Sequence, residues 1–426
     1  MQFAVISDTH FGDENCTLVN HNTLKKGDKF DEFYDIVGQG NDYLILLGDI
    51  FDFSITDYAT SYEVAKIFFK LVQKNNIAKA IIYVPGNHDF DIWHTVQHQI
   101  NIIHQLKKGG FVRKFSWSAP GIIDDRTESN TPGFSLPLNI DFAINPSEFK
   151  GEPLFLNNIT LKKDGKGKPL SFYLAYPNLY FVNDNEAILF THGQYLEAFW
   201  SLAGEWIRKI AGRDLDLGKS FDMEELVALN VPLCQLACSG LGQAGPLTDL
   251  VFQVQQEAKK GDLKRIKKYL NNLDNDLDEL TTSHWYDPTS WGKELLTDYL
   301  SNKAKKDIIK AIKNMKSTRY DEEFINDYSV QARFKDFYNA SCNEIDLLNE
   351  EFKNFSFPRP ETVIFGHTHD PIAWKAPQHP SIKVRKRVVN LYNTGGWLWK
   401  SGTNEFCGAE IFTYRDGKME SVRVAD

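Results

Sequence analysis

Five short blocks of acids, imidazoles and one amide recur along the chain: Asp8-Thr9-His10, Gly48-Asp49-Ile50-Phe51-Asp52, Gly86-Asn87-His88-Asp89, Thr191-His192-Gly193 and Gly366-His367-Thr368-His369. Their oxygen and imidazole donors suit Mn, Fe, Zn or Co better than Ca or a thiolate-held structural zinc. Gathered at one point, such donors would hold two divalent cations about 3.5–4 Å apart, a spacing that clamps a phosphate ester and activates water against it. Each block also has an ordinary reading. Asp-Thr-His suits a helix N-cap, Gly-Asn-His-Asp a tight turn, and a lone His192 a structural role.

The shared setting favours metal chemistry. Each block follows a short apolar run, at residues 3–6, 43–47, 80–84, 187–190 and 362–365. Runs of this kind, rich in Val, Ile, Leu and Tyr and bounded by Gly, Asp and Asn, read as strands buried on both faces. Layered α/β folds collect their ligand-binding groups beyond the carboxyl ends of such strands. Residues hundreds of positions apart can therefore converge.

In this order the blocks resemble the calcineurin-like metallophosphoesterase family, whose signature runs Asp-x-His, Gly-Asp-x-x-Asp, Gly-Asn-His-(Asp/Glu), His, Gly-His-x-His. The likeness covers roughly residues 1–110, 185–195 and 360–400. It implies an α/β fold, the four-layer α/β/β/α sandwich of that family, here with a large, mostly helical cap insertion. Carried over position by position, it implies that Asp8, His10, Asp49 and His369 hold one metal and that Asp49, Asn87, His192 and His367 hold the other, with Asp49 as the bridge. His88 matches the family's histidine that protonates or stabilises the leaving oxygen, and Asp52 the carboxylate that orients it. The implied reaction is in-line attack on a phosphate mono- or diester by a hydroxide shared between two metal ions (Mn, Fe or Zn), without a phosphoenzyme.

The sequence divides into a first core part at 1–194, a helical cap at 195–354 and a second core part at 355–426. Apolar spacing predicts helices over 57–75 and about 92–107. Residues 116–185, rich in proline, read as loops and hairpin strands that complete a second sheet. Within 195–354, Leu263, Ile266, Leu270 and Leu273 keep helical spacing, as do Ile308, Ile309, Ile312 and Met315. The stretch 226–248 carries no charge, but its Asn, Gln, Gly and Pro residues make a poor membrane span, so it reads as buried cap core. Strands around 388–391, 407–414 and 420–424 close the core, and Asn393-Thr394-Gly395-Gly396-Trp397 resembles the family's closing strand and turn.

Composition narrows the function. A formal charge of −9 argues against broad nucleic-acid binding, which draws on Lys and Arg to displace counterions. Lys383, Arg385, Lys386 and Arg387 form a basic cluster whose alternation with Val384 reads as a solvated strand edge. Five scattered cysteines and an N-terminus that opens into a strand with no signal-like segment point to the cytoplasm. His94 and His98, four residues apart, read as a solvated helix face, and Cys234 and Cys238 as core packing.

Protein Ser/Thr phosphatases of the family carry Gly-Asp-x-Val-Asp-Arg-Gly and Gly-Asn-His-Glu, which this chain lacks. The string at 48–53, Gly-Asp-Ile-Phe-Asp-Phe, looks more like the branch that contains UDP-2,3-diacylglucosamine pyrophosphohydrolases. The substrate expected is a small, lipid-linked or nucleotide-linked phosphate ester. The alternatives are a nuclease of the same fold and a non-catalytic protein-binding scaffold.

Overall fold

Side chains of the first strand divide by parity between two apolar layers: Phe3 and Val5 enter one, Ala4 and Ile6 the other. A strand buried on both faces is the interior of a layered fold. The computed structural model describes residues 1–129, 133–135, 155–160, 170–210, 221–245, 264, 268, 324–351, 356–400, 403 and 405–424.

In chain order the strands are β1 (Phe3–Ile6), β2 (Val19–Asn20), β3 (Lys25–Lys26), β4 (Asn41–Leu46) and β5 (Ala78–Tyr83). Then come β6 (Gly121–Asp124), β7 (Gly133–Ser135), β8 (Ser171–Leu174), β9 (Asn178–Val182) and β10 (Ala187–Thr191). The last are β11 (Thr362–Phe365), β12 (Ser381–Val384), β13 (Arg387–Asn393), β14 (Ala409–Arg415) and β15 (Lys418–Val424). One sheet has the order β15-β14-β1-β4-β5-β8, with β1, β4, β5 and β8 parallel. The other runs β12-β13-β11-β10-β9-β6-β7, with β10, β11 and β13 parallel. β2 and β3 form a separate short ribbon.

Between the sheets lies a dry layer in which Phe3, Val5, Ile45, Leu47 and Val84 meet Phe181, Ile188, Phe190 and Ile364. Phe3 packs edge-on against Phe181 with ring centroids 5.1 Å apart. Helices cover the outer faces. α1 (Phe30–Val37) and α2 (Tyr58–Lys74) lie on the first sheet, where Phe69 of α2 meets Phe172 of β8. Asp57 caps α2 by accepting from the Thr60 backbone N–H at 2.8 Å, which fixes the start expected from the sequence. The helix expected over 92–107 is α3 (Asp91–His98) and α4 (His104–Lys107), joined by a π-helical turn at Gln99–Ile103. α5 (Phe155–Thr160) packs on α2 and β8.

In the 195–354 stretch, α6 (Ala198–Ile210) and α7 (Met223–Gln235) pack on each other, and a π-helical turn at Leu236–Leu241 continues α7. α8 (Tyr328–Glu351) covers the outer face of the second sheet, where the Tyr180 hydroxyl donates to Glu344 at 2.7 Å. Helix, sheet, sheet and helix thus stack as the expected four-layer α/β sandwich. The helical spacings at 263–273 and 308–315 lie outside the described residues. Within 116–185 the structure departs from expectation at one strand: β8 joins the edge of the first sheet, beside β5, while β6, β7 and β9 extend the second. Among the described residues no helix is long and apolar enough to cross a membrane.

Candidate metal centre

All five blocks lie just past strand ends, after β1, β4 and β5 in one sheet and β10 and β11 in the other, so the site forms where the carboxyl edges of the two sheets meet. Backbone hydrogen bonds tie neighbouring blocks together. His10 N–H donates to the Asp49 carbonyl at 2.9 Å and Gly366 N–H to the His192 carbonyl at 2.9 Å. Asp49 Oδ1 accepts from His88 N–H at 2.8 Å, and Asp8 Oδ2 accepts from His367 N–H at 2.9 Å, stitching one sheet to the other. The Asn393 amide donates to the Gly366 carbonyl at 2.8 Å and so braces the last block.

Asp8, His10, Asp49, His367 and His369 all have left-handed backbone, with φ of 50°, 47°, 51°, 70° and 57°. Non-glycine residues seldom adopt it, and where they do a functional site is a common setting. Here the reversal turns each side chain off its strand axis into the shared crevice. Gly86 is required for a different reason: a Cβ there would strike the Asp49 carboxylate and lie 2.8 Å from His192 Cδ2. Asp49 and His192 could not then meet.

The structure gathers the nine predicted site residues into one buried cluster. Asp8, His10 and His369 bring one donor atom each to within 4.8 Å of one another, as do Asp49, His192 and His367, and as do His10, Asp52 and His88. Asn87 joins the second group, its Oδ1 3.0 Å from His192 Nε2. His10 links the first group to Asp49, with Nε2 3.9 Å from Asp49 Oδ2.

Ring protonation tests whether this set suits cations. His192 Nδ1 lies 2.7 Å from the Leu47 carbonyl, which can only accept, so Nδ1 carries hydrogen and Nε2 presents its lone pair. That lone pair faces two more acceptors, Asn87 Oδ1 and Asp49 Oδ2, the latter at 3.2 Å. His10 Nδ1 likewise donates to Asp52 at 2.8 Å, which turns its Nε2 lone pair toward His369 Nε2 at 3.1 Å. At His192, acceptor against acceptor is tolerable only with positive charge between them, as an added proton or as a metal ion. The pKa shifts say the same. Burial opposes charge on His192, yet the adjoining Asp49 carboxylate outweighs it and raises the imidazole to about 9. Burial likewise opposes charge on His10, but Asp52 and Asp8 hold it well above the ordinary value. Burial would raise Asp8 and Asp52, and the surrounding imidazoles lower both well below the usual carboxylate range instead. The pocket favours cationic charge, and a divalent cation fits it in place of protons.

Residues 1–206 match the family model for calcineurin-like phosphoesterases. The match spans 206 of the 426 residues, and over that part the chain is similar to this family. Four of the five blocks fall within that match, and the fold delivers the fifth, His367 and His369, to the same crevice from beyond it. No curated protein matches the chain.

Around the acid–imidazole cluster stand two polar residues that the block pattern did not single out. Ser54 Oγ lies 2.6 Å from Asp52 Oδ1 and 2.7 Å from His88 Nδ1, bridging the carboxylate and the imidazole. Glu197, buried just ahead of α6, lies 2.9 Å from His367 Nε2. Neither shares a spacing with a block, although Ser54 does follow Asp52 by two residues. Elsewhere, His94 is half-buried and stacked on His98, outside the groups with metal-ligand geometry among the described residues. Cys234 and Cys238 are buried, and Cys238 Sγ reaches the Asn87 carbonyl at 3.4 Å, so the pair packs the α7 segment onto the site. The basic cluster at 383–387 is the β12–β13 hairpin at the edge of the second sheet.

Proposed function

We propose that this protein hydrolyses a phosphate mono- or diester with two divalent metal ions, Mn, Fe or Zn, one held by Asp8, His10, Asp49 and His369 and the other by Asp49, Asn87, His192 and His367. The observation that carries the reading is the pair of buried acid–imidazole groups, which adjoin at His10 and Asp49. Bound metal ions would lower the pKa of an attacking water and neutralise charge on the phosphate oxygens. The protein's own residues position and protonate. Asp52 and Ser54 hold His88 through Nδ1, at 3.0 and 2.7 Å, so that Nε2 is the nitrogen to pass a proton to the leaving oxygen. Asp52 also holds His10, so one carboxylate fixes a ligand and the acid together.

In the same reading, residues 195–354 include the substrate-selecting cap, with 1–194 and 355–426 as core. The segment from α6 to the turn after α7 does the covering, and α8 serves the sandwich. The α7 segment docks beside the second block, at the start of α2: Gln243 donates to the Thr56 carbonyl at 3.2 Å and accepts from the Tyr58 N–H at 3.1 Å. Aromatic Phe199 and Trp200 on α6 suit a lipid-linked or nucleotide-linked ester. Five cysteines without a disulfide accord with the cytoplasm.

The test is hydrolysis of p-nitrophenyl phosphate and its bis ester with added Mn²⁺. Asp49→Ala removes a donor from both metal ions and should lower turnover by on the order of 10³-fold or more. Parental turnover in that variant would defeat the bridging assignment.

A further inference from the structure

Each of three site histidines is held through the nitrogen that donates. His10 is anchored by Asp52, in a strand-end block, and His192 by the carbonyl of Leu47, which immediately precedes that block. His367 is anchored by Glu197, which comes from the opening turn of the 195–354 stretch. An ionised carboxylate can only accept, so His367 Nε2 carries the hydrogen and Nδ1 carries the lone pair. The same carboxylate oxygen, Glu197 Oε2, accepts from the Trp200 indole N–H at 3.0 Å, and the Trp200 ring meets the His88 ring edge-on with centroids 6.0 Å apart. A buried acid at the root of α6 therefore touches a residue of the second acid–imidazole group, and its indole partner touches the proposed leaving-group acid.

We propose that Glu197, at the root of α6, is a positioning residue for the second metal ion. This rests on the assignment of His367 as a ligand made above. By drawing the His367 N–H toward itself, the carboxylate fixes the tautomer, orients the ring and makes Nδ1 a stronger donor, and losing such a partner typically weakens metal binding by about 10–100-fold. Trp200 holds the carboxylate in place from α6.

The test is a Co²⁺ titration of the full-length protein, followed by calorimetry and by visible absorption, with thermal melts to confirm folding. Glu197→Gln keeps an oxygen acceptor but removes the charge, and should weaken one of two binding steps by about tenfold while sparing the other. Glu197→Ala also removes the acceptor and should weaken the same step by about 100-fold. His367→Ala, run alongside, should abolish that step. Two parental binding steps in Glu197→Ala, with one lost in His367→Ala, would overturn the role of Glu197 and leave the metal centre standing. Two parental steps in His367→Ala would overturn the ligand assignment and this proposal with it. Should the Glu197→Ala variant not fold, the Glu197→Gln titration decides, and parental affinity there overturns the proposal.

Discussion

Across the site, the strand-end blocks and the α6–α7 segment are held by different chemistry. The blocks stand on the dry layer of Phe3, Phe181, Phe190 and Ile364, where each fully buried apolar side chain contributes roughly 1.5–3 kcal/mol. The α7 segment meets the core through a polar cluster as well: Asp91 accepts from the Tyr58 hydroxyl, from the Ser239 hydroxyl and, at 2.8 Å, from the Gln235 amide. Net, each such hydrogen bond contributes about 0.5–1.5 kcal/mol, because water competes for the same groups. One wall is built to keep catalytic geometry. The other adds hydrogen bonds, for which water competes, to the burial of Val227, Cys234 and Cys238 in the core.

The largest expected effect belongs to the first wall. His88→Ala should slow turnover by about 10²–10⁴-fold while both metal ions stay bound, as assayed by p-nitrophenyl phosphate hydrolysis and metal content on one sample. Loss of metal in that variant would move His88 into the ligand set and break the division between holding and protonating. Next comes the polar wall. Asp91→Ala strips the acceptor from Tyr58, Ser239 and Gln235 and should loosen the cap by about 1–3 kcal/mol. Limited proteolysis should then cut sooner within 198–245 while the main melting transition shifts little; a lower global melting point without new cleavage would show the two walls unfolding as one.

The smallest effect lies on α8. Burial pushes the Glu344 carboxyl above its ordinary value of 4.5, against hydrogen bonds from Ser118 and Tyr180. The folded state thus holds this proton more tightly than the unfolded chain does. Its contribution favours folding in acid and is lost as pH climbs from the ordinary value through the raised one. Glu344→Gln should flatten that slope, read from denaturant midpoints at several pH values; an unchanged slope would place the titration elsewhere.

The strand-end blocks were legible in the sequence because strand and turn are both local: an apolar run, then Gly, Asp or Asn where the chain reverses. The α2 start was legible for the same reason, with Asp57 capping Thr60. Partner choice was not local. Residues 171–174 read as a strand, but nothing in them says that β5 of the first sheet, and not the second sheet, takes the edge position. Helical spacing at 328–351 marks an apolar face without naming the surface it covers, which is the second sheet. Glu197 and Ser54 were illegible as site residues because a single Glu or Ser carries no periodic signal. Each gains its meaning from a histidine brought to it by the fold, across 170 residues for Glu197 and 34 for Ser54.

The left-handed backbone at Asp8, His10, Asp49, His367 and His369 bears on how this site can decay. Each position is filtered by conformation before chemistry is considered, and a β-branched replacement adds strain of roughly 1–2 kcal/mol to whatever ligand is lost. Asparagine and glycine escape that filter. A lineage that abandons hydrolysis but keeps the sandwich should therefore drift toward Asn and Gly at these five points, leaving a recognisable scar where the metals once sat.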